Sequence, residues 1–189
     1  MNKKIFDKYK IILASQSPRR QELLKGLGLD FEVRPLHVEE NYPEGLKGEE
    51  IAYYLSALKS RAFRFDNSCE DCLVITADTI VWKDDQILPK PKDHADAVRI
   101  LKELSGSMHE VITGVSLRTK DKMTSFHSST KVYFKELSLE EIEYYIQHYQ
   151  PFDKAGAYGI QEWIGYIGIE SPCPPYFVLR KARLVIDVF

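Results

Sequence analysis

Short, mainly apolar segments recur along the chain and predict buried strands. Such runs occur at 11–14 and 73–77, and a third strand is predicted at 111–117. The run at 73–77 is followed by an extended stretch at 80–82, and one or two further strands are expected between 123 and 134.

Apolar residues at three- and four-residue steps predict helices between the strands. Helix starts are favoured at three positions: at Ser17, which Pro18 follows, at Asp93, and at Ser138, which opens the capping box Ser-Leu-Glu-Glu. Another helix is predicted to follow Gly48, with an apolar face that extends to residue 65. Strands and helices that alternate in this way predict an α/β class, with a central mixed, twisted sheet flanked by helices.

Length and composition narrow the class of protein. The 189 residues show no repeat or linker, so one domain is expected over 1–189. With 44% apolar residues the chain can form a core, and no apolar run approaches the roughly 18 residues of a membrane span. A formal charge of −2 argues against a nucleic-acid partner. We expect a soluble, cytoplasmic protein with no signal peptide and no membrane partner.

The three cysteines are not expected to carry function. Cys69 and Cys72 form a Cys-x-x-Cys pair, but the pair precedes an apolar run, whereas a thioredoxin-type pair opens a helix. No further residues at suitable spacing complete a zinc site. The interpretation is that Cys69 and Cys72 are two incidental thiols in a reducing compartment.

A polar turn follows the first predicted strand and leads directly into a helix. It carries Ser15, Ser17, Arg19 and Arg20. The N–H groups at a helix N-terminus favour a bound anion, and two guanidinium groups add bidentate donors. An arginine pair in the first turn also opposes the helix dipole, which a bound anion would relieve. We expect a phosphate site here, the alternative being solvated charges on an exposed turn.

Two further charged residues lie where the backbone leaves the predicted core. Asp78 follows the run 73–77 and is suited to hold Mg²⁺ or to orient a water, the alternative being a turn aspartate that bonds backbone N–H groups. Lys90 lies between two prolines, which hold its backbone extended. Its ammonium would neutralise a phosphate, and a plain surface turn is the alternative.

The remaining candidate residues would be functional only together with a partner side chain or a bound ligand. Lys59 lies at the edge of the apolar face of its helix, as a snorkelling lysine would. Glu39 and Glu40 are either solvated charges or metal ligands. In the segment 153–161, small residues permit a close approach of the backbone to a ligand, and Gln161 offers a donor and an acceptor that suit a base edge. The alternative there is a glycine-weakened strand with a bulge.

In combination these segments resemble the Maf family of nucleoside triphosphate pyrophosphatases, over residues 11 to about 169. The agreement covers residue type, order and spacing. The motifs that carry it are Ala-Ser-x-Ser-Pro-Arg-Arg at 14–20, Ala-Asp-Thr at 77–79, Lys-Pro at 90–91, Leu-Ser-Gly-x-x-His at 104–109, and Asp-Lys-Ala-Gly-Ala-Tyr-Gly-Ile-Gln at 153–161.

The resemblance implies a Ham1-like (inosine triphosphatase-like) fold, a homodimer, and hydrolysis of a nucleoside triphosphate between its α and β phosphates. The last motif looks like that of the subgroup acting on dTTP and UTP. A divalent metal, Mg²⁺ or Mn²⁺, is implied on Glu40 and Asp78, and whether Asp78 is the base or a metal ligand stays open. The implied catalytic residues are Asp78, Lys59 and Lys90, and the implied substrate contacts are Ser15, Arg19, Arg20, Thr79 and Gln161.

The segment from Glu170 to the end departs from the family pattern. Three prolines between positions 172 and 175 exclude a helix there. An altered tail leaves a second interpretation open, a nucleotide-binding regulator without catalytic activity. A haloacid-dehalogenase-type phosphatase would need a second aspartate two residues after Asp78, where the chain has Ile80.

Overall fold

The computed structural model describes residues 8–170 of the chain. Strands and helices alternate within this range, as the apolar pattern predicts. Two short 3₁₀ turns lie between α4 and α5, at Pro151–Asp153 and Ala155–Ala157. The strands and α-helices, in chain order, are β1 Lys10–Leu13, α1 Pro18–Gly26, β2 Phe31–Val33, α2 Glu49–Ala62, β3 Cys72–Lys83, β4 Gln86–Leu88, α3 His94–Leu104, β5 Met108–Arg118, β6 Met123–Tyr133, α4 Leu139–Tyr149 and α5 Trp163–Gly168.

The strands form a mixed six-stranded sheet flanked by helices, which confirms the expected fold class. Their order is β2-β1-β3-β5-β6, with β4 paired to β3. β1 runs parallel to both β2 and β3, while β4 returns antiparallel to β3 after a tight turn. Asp84 and Asp85 adopt positive φ in this turn, as both central residues of a type I′ hairpin turn do.

The described residues form two compact units. The first comprises residues 8–78 and 113–128. Its core covers both faces of β1 because successive side chains of a strand point to opposite sides. Ile12 and Ala14 pack with Phe63 and Val74 on one face. Ile11 and Leu13 pack with Leu24 and Leu29 on the other face.

The second unit comprises residues 79–112 and 129–170. Its core is built from the apolar faces of α3 and α4, with Ile100, Leu101 and Leu104 fully buried on α3. Asp93 caps α3, and Ser138 begins α4 with a complete capping box, as the sequence predicts. The expectation of one domain over residues 1–189 stays a prediction.

Several local predictions were wrong. β3 is one continuous strand, so Asp78 lies inside it rather than beyond its end. α2 ends at Ala62, and the buried aromatic residue that follows is Phe63 rather than Phe65. The alternative of a bulged strand for the segment 153–161 is replaced by 3₁₀ turns. Of the atypical tail, only its first residue, Glu170, lies within the described residues.

Cys69 and Cys72 form a disulfide, so the prediction of two free thiols was wrong. Both cysteines are buried, and their Cα atoms lie 4.9 Å apart. This separation falls within the range that a disulfide spans. The turn before β3 brings the two side chains together, which spacing alone did not indicate.

Within residues 8–170, no helix combines the length and the hydropathy needed to cross a membrane.

Candidate active site

A buried carboxylate in the first unit shares a lysine with a second carboxylate. Asp78, on β3, is 6% exposed. Lys59, in the last turn of α2, donates through Nζ to Asp78 Oδ1 and to Glu40 Oε1, the latter at 2.7 Å. Glu40 comes from the loop between β2 and α2. One ammonium group therefore joins two acidic side chains from different elements, and Lys59 is not a simple snorkelling residue.

Hydrogen bonds to two backbone carbonyls hold α2, the helix that carries Lys59. Thr76 Oγ1, on β3, donates to the carbonyl of Ser56 at 2.8 Å. Arg118, on β5, donates through Nη1 to the carbonyl of Ser60 at 2.6 Å. Carbonyls near the end of a helix lack intrahelical partners, so a guanidinium there stabilises the last turn. The backbone on either side of Lys59 is thus anchored to neighbouring strands.

Arg20 connects the polar turn after β1 to β3 beside Asp78. Its Nη1 donates to the carbonyl of Ala77 at 2.7 Å and to Ser15 Oγ at 3.4 Å. Ser15 Oγ also accepts the N–H of Ser17 at 3.2 Å, which closes the turn that begins α1. The structure therefore brings Ser15, Arg20 and Asp78 into one neighbourhood of the first unit.

The electrostatics of this neighbourhood favour proton uptake by Asp78. Burial raises the pKa of the Asp78 carboxyl above its ordinary value, and the Lys59 ammonium opposes that shift. Glu40 raises the same pKa further, while Arg20 lowers it. A carboxylate with a raised pKa is a better proton acceptor near neutral pH than an exposed one.

Two carboxylates directed at one cation are a donor set that fits Mg²⁺. This metal commonly takes one or two protein carboxylates together with waters and substrate phosphate oxygens. Asp78 and Glu40 supply such a pair, with Lys59 between them. Residues 8–170 contain no group of three or more histidine, cysteine, aspartate or glutamate side chains that would enclose a metal without substrate.

The remaining predicted site residues are distributed over both units. Arg19 follows Pro18 in the first turn of α1, and its charge lowers the pKa of Arg20, on which burial has the larger lowering effect. Thr79 is the next residue of β3 after Asp78 and belongs to the second unit. Lys90, between β4 and α3, and Gln161, before α5, are exposed residues of the second unit.

The sequence did not indicate a polar cluster that surrounds the segment before Gln161. Tyr145, on α4, hydrogen-bonds to the Glu162 carboxylate and to the N–H of Gly159. Lys154 forms ion pairs with Asp153 and Glu162. In the sequence, Tyr145 lies among apolar residues at helical spacing after Ser138, which indicates a buried helix face and no hydrogen bond. The only signal in the sequence was that Glu162 follows Gln161, and this position does not indicate which residues Glu162 contacts.

Comparison with known proteins gives a consistent set of relatives. A family model described as Maf-like protein matches residues 10–174. The dTTP/UTP pyrophosphatase of Phocaeicola vulgatus is 54% identical over 172 residues, 90% of this chain and 89% of that protein. The protein of the same name from Bacteroides thetaiotaomicron is 54% identical over 87% of this chain and 86% of its own length. The one from Flavobacterium johnsoniae is 51% identical over 89% of this chain and 87% of its own length.

Among solved structures, the chain is similar to the Ham1 protein of Staphylococcus aureus. The TM-score is 0.45 at 18% sequence identity, over 66% of this chain and 71% of that chain.

Proposed function

The chain belongs to the family of Maf-like proteins, and on this premise we propose that it hydrolyses dTTP and UTP to the monophosphate and pyrophosphate. Relatives that share half or more of its residues carry the name dTTP/UTP pyrophosphatase. The observation that carries the proposal is the cluster in the first unit in which Lys59 joins Asp78 and Glu40, with Arg20 beside them.

Cleavage of a phosphoric anhydride depends mainly on holding the reacting groups in line and on stabilising negative charge. Arg19, Arg20 and Lys59 supply three cations in the first unit. We assign them, with Ser15, to the triphosphate. Lys90 is assigned to the same role because its flanking prolines restrict its backbone.

Asp78 is the group we assign to water activation. Its carboxylate accepts a proton from water, the water oxygen attacks the α-phosphorus, and the bond from that phosphorus to the α–β bridging oxygen breaks. Pyrophosphate leaves with the bonding electrons. The raised pKa of Asp78 supports this role, because a general base works best when its pKa approaches the working pH.

A divalent metal, Mg²⁺ or Mn²⁺, would be held by Glu40 and Asp78 together with substrate oxygens, and when bound it would offset the charge of the triphosphate. If Asp78 coordinates the metal directly, it cannot accept the proton from water. Substitution of Asp78 separates the two roles. If Asp78 is a metal ligand, the substitution changes the metal concentration needed for half activity; if it is the base, the substitution changes the pH profile.

Recognition of the base is assigned to Thr79 and Gln161. Gln161 is exposed and offers one donor group and one acceptor on the same amide. We also propose that the protein is a cytoplasmic homodimer that acts on free nucleotides. Family resemblance supports the assembly, and a formal charge of −2 disfavours nucleic acid as the substrate.

The proposal is tested by pyrophosphate release from dTTP, UTP and the other common nucleoside triphosphates in the presence of Mg²⁺. We expect turnover with dTTP and UTP, and a loss of about 10²- to 10⁴-fold in Asp78→Asn, the range that general-base removal produces. Asp30→Asn, which changes an exposed acid of the same unit, is the matched control. Wild-type protein that binds dTTP without releasing pyrophosphate would contradict the proposal and favour a regulator.

A further inference from the structure

A buried lysine of the second unit is held by two carboxylates that the proposed hydrolysis does not use. Lys154 is 8% exposed, and its Nζ lies 2.7 Å from Asp153 Oδ1 and 3.3 Å from Glu162 Oε1. A buried ammonium is tolerated only when it is paired and hydrogen-bonded. Asp153 is largely exposed, so Glu162 is the less hydrated of the two partners.

The second oxygen of Glu162 binds a tyrosine hydroxyl. Tyr145, on α4, is fully buried, and its hydroxyl donates to Glu162 Oε2. The same hydroxyl accepts the N–H of Gly159 at 2.9 Å. Hydrogen bonds to an ionised acceptor are the stronger kind. One carboxylate therefore joins α4, Lys154 and, through Tyr145, the backbone at Gly159.

These contacts lie on either side of Gln161. The N–H of Glu162 donates to the carbonyl of Gly159 at 2.9 Å, which closes a turn around residues 160 and 161. The Glu162 carboxylate packs against this turn, because a Cβ atom added at Gly159 would lie 2.8 Å from Glu162 Cδ. Gln161 is therefore an exposed residue of a turn whose two ends, Gly159 and Glu162, are both hydrogen-bonded to Tyr145.

We infer that Glu162 is a positioning residue for base selection: by bridging Tyr145 and Lys154 it fixes the turn that presents the Gln161 amide to the nucleotide base. This inference rests on the proposed function. Glu162 lies outside the family motif at 153–161, and its charged carboxylate holds both Tyr145 and Lys154.

The chemistry of the base explains why orientation matters. Thymine and uracil present a carbonyl acceptor beside an N–H donor, whereas cytosine presents an amino donor beside an acceptor. An amide that rotates by 180° exchanges its own donor and acceptor and fits either pattern. A fixed turn supports one orientation and avoids the entropy lost when a loose side chain is ordered on binding.

The test uses Glu162→Gln, which keeps the shape and removes the charge, Tyr145→Phe, and the double variant. Glu140→Gln, on the exposed first turn of α4, is the matched control. For both single variants we expect the KM for dTTP to rise about tenfold, the effect of one hydrogen bond of ordinary strength, with kcat within about twofold. The preference for dTTP over dCTP should fall, and the double variant should be no worse than the worse single variant.

Two measurements that do not depend on turnover accompany the kinetics. Calorimetry measures dTTP binding without divalent metal, and hydrogen exchange reports on the amide of Gly159. Exchange that increases only over residues 155–162 supports positioning, while an increase throughout the chain in both variants overturns it in favour of general destabilisation. An unchanged KM, base preference and affinity in Glu162→Gln also overturn the inference.

Failure of the inference and failure of the proposed function give different results. Wild-type protein that binds dTTP but does not hydrolyse it contradicts the proposed function, and the affinities of the variants then still decide the inference. Wild-type protein that neither binds nor hydrolyses dTTP overturns both.

Discussion

Lys59 is the charge that most strongly lowers the pKa of Asp78. It does so both as a nearby positive charge and as a hydrogen-bond donor, in opposition to burial. Glu40 acts in the other direction and is itself joined to Lys59. A single ammonium thereby pairs with two neighbouring carboxylates, so the electrostatics of the cluster depend on this one residue.

Lys59→Gln should raise the pKa of Asp78 further, because the opposing charge is removed while the burial stays. Activity requires the ionised form of Asp78 if it is the base, so the acidic limb of the pH–rate profile should move to higher pH. We expect kcat/KM at neutral pH to fall by about a hundredfold, as when one preorganised charge donor is removed. Lys25→Gln, at an exposed lysine of α1, is the control. An acidic limb that does not move would contradict this role for Lys59.

His109 is a fully buried histidine of the second unit. Its Nε2 shares a hydrogen bond of 2.7 Å with the hydroxyl of Tyr158, and its ring lies edge-on to Phe134. Among the described residues, no partner binds its Nδ1. Burial, together with a smaller effect of the Lys83 charge, lowers the pKa of His109 to about 4. A protonated ring would place an unpaired N–H donor in this apolar site.

The stability of the protein should fall as the pH drops from about 6.5 to about 4. In this range the unfolded chain binds a proton at His109 and the native protein does not. Proton binding therefore stabilises the unfolded state relative to the native state. The free energy of unfolding should decrease by at most about 3 kcal/mol through this group, from the difference between the two pKa values. Urea unfolding at several pH values measures this, and His109→Gln should flatten the dependence whereas His37→Gln, at an exposed histidine, should not. A ring titration by NMR near pH 6.5 would contradict the prediction.

The packing of α2 against β5 depends on a position with no side chain. A Cβ atom built on Gly114 would lie 2.0 Å from the carbonyl oxygen of Ala52. Real Cβ atoms do not approach a backbone oxygen so closely, and neither backbone can yield without moving an element. The absence of a side chain at Gly114 therefore sets how closely α2, with Lys59, approaches the strand.

Gly114→Ala should destabilise the protein by about 3 kcal/mol, the upper part of the range for overpacked sites. It should also lower activity in the molecules that stay folded, because α2 is displaced together with Lys59. Urea unfolding and pyrophosphate release measure the two effects. Gly26→Ala is the control, because a Cβ there meets nothing within 4 Å and alanine favours the helix. Equal stability of the two variants would contradict the packing described.

The net charge of the whole chain does not describe its electrostatics near Asp78. The formal charge is −2, yet Arg20 and Lys59 lie beside Asp78 in the first unit, and Arg19 lies next to Arg20 along α1. A triphosphate carries more negative charge than these three cations offset. A divalent metal shared with Glu40 and Asp78 would make up the difference.

Chelation with EDTA should abolish pyrophosphate release, and added Mg²⁺ should restore it. The midpoint of thermal unfolding should not change, because residues 8–170 hold no cluster of acids, histidines or cysteines that would bind a structural metal. Coupled pyrophosphate detection and differential scanning calorimetry provide the measurements. Full activity in EDTA would contradict a role for the metal, and a lower unfolding midpoint would indicate a structural one.

The helix starts at Ser17, Asp93 and Ser138 and the existence of most strands could be predicted from the sequence. These features depend on contacts within a few residues of one another, which a linear pattern contains. The motifs likewise indicated Arg20 and Asp78 as candidates. The structure places Arg20 and Asp78 in one neighbourhood of the first unit, while Lys90 lies in the second unit, and the roles of these residues stay predictions.

Which groups become partners depends on how the strands and helices pack in the folded protein. Lys59 reaches Glu40 and Asp78 across 19 residues in each direction, and Tyr145 reaches Glu162 across 17. Such pairs form when separate strands and helices pack, and packing depends on the whole core rather than on the local pattern. The pKa of Asp78 follows from the same cause, because its burial and its neighbours exist only after the chain has folded.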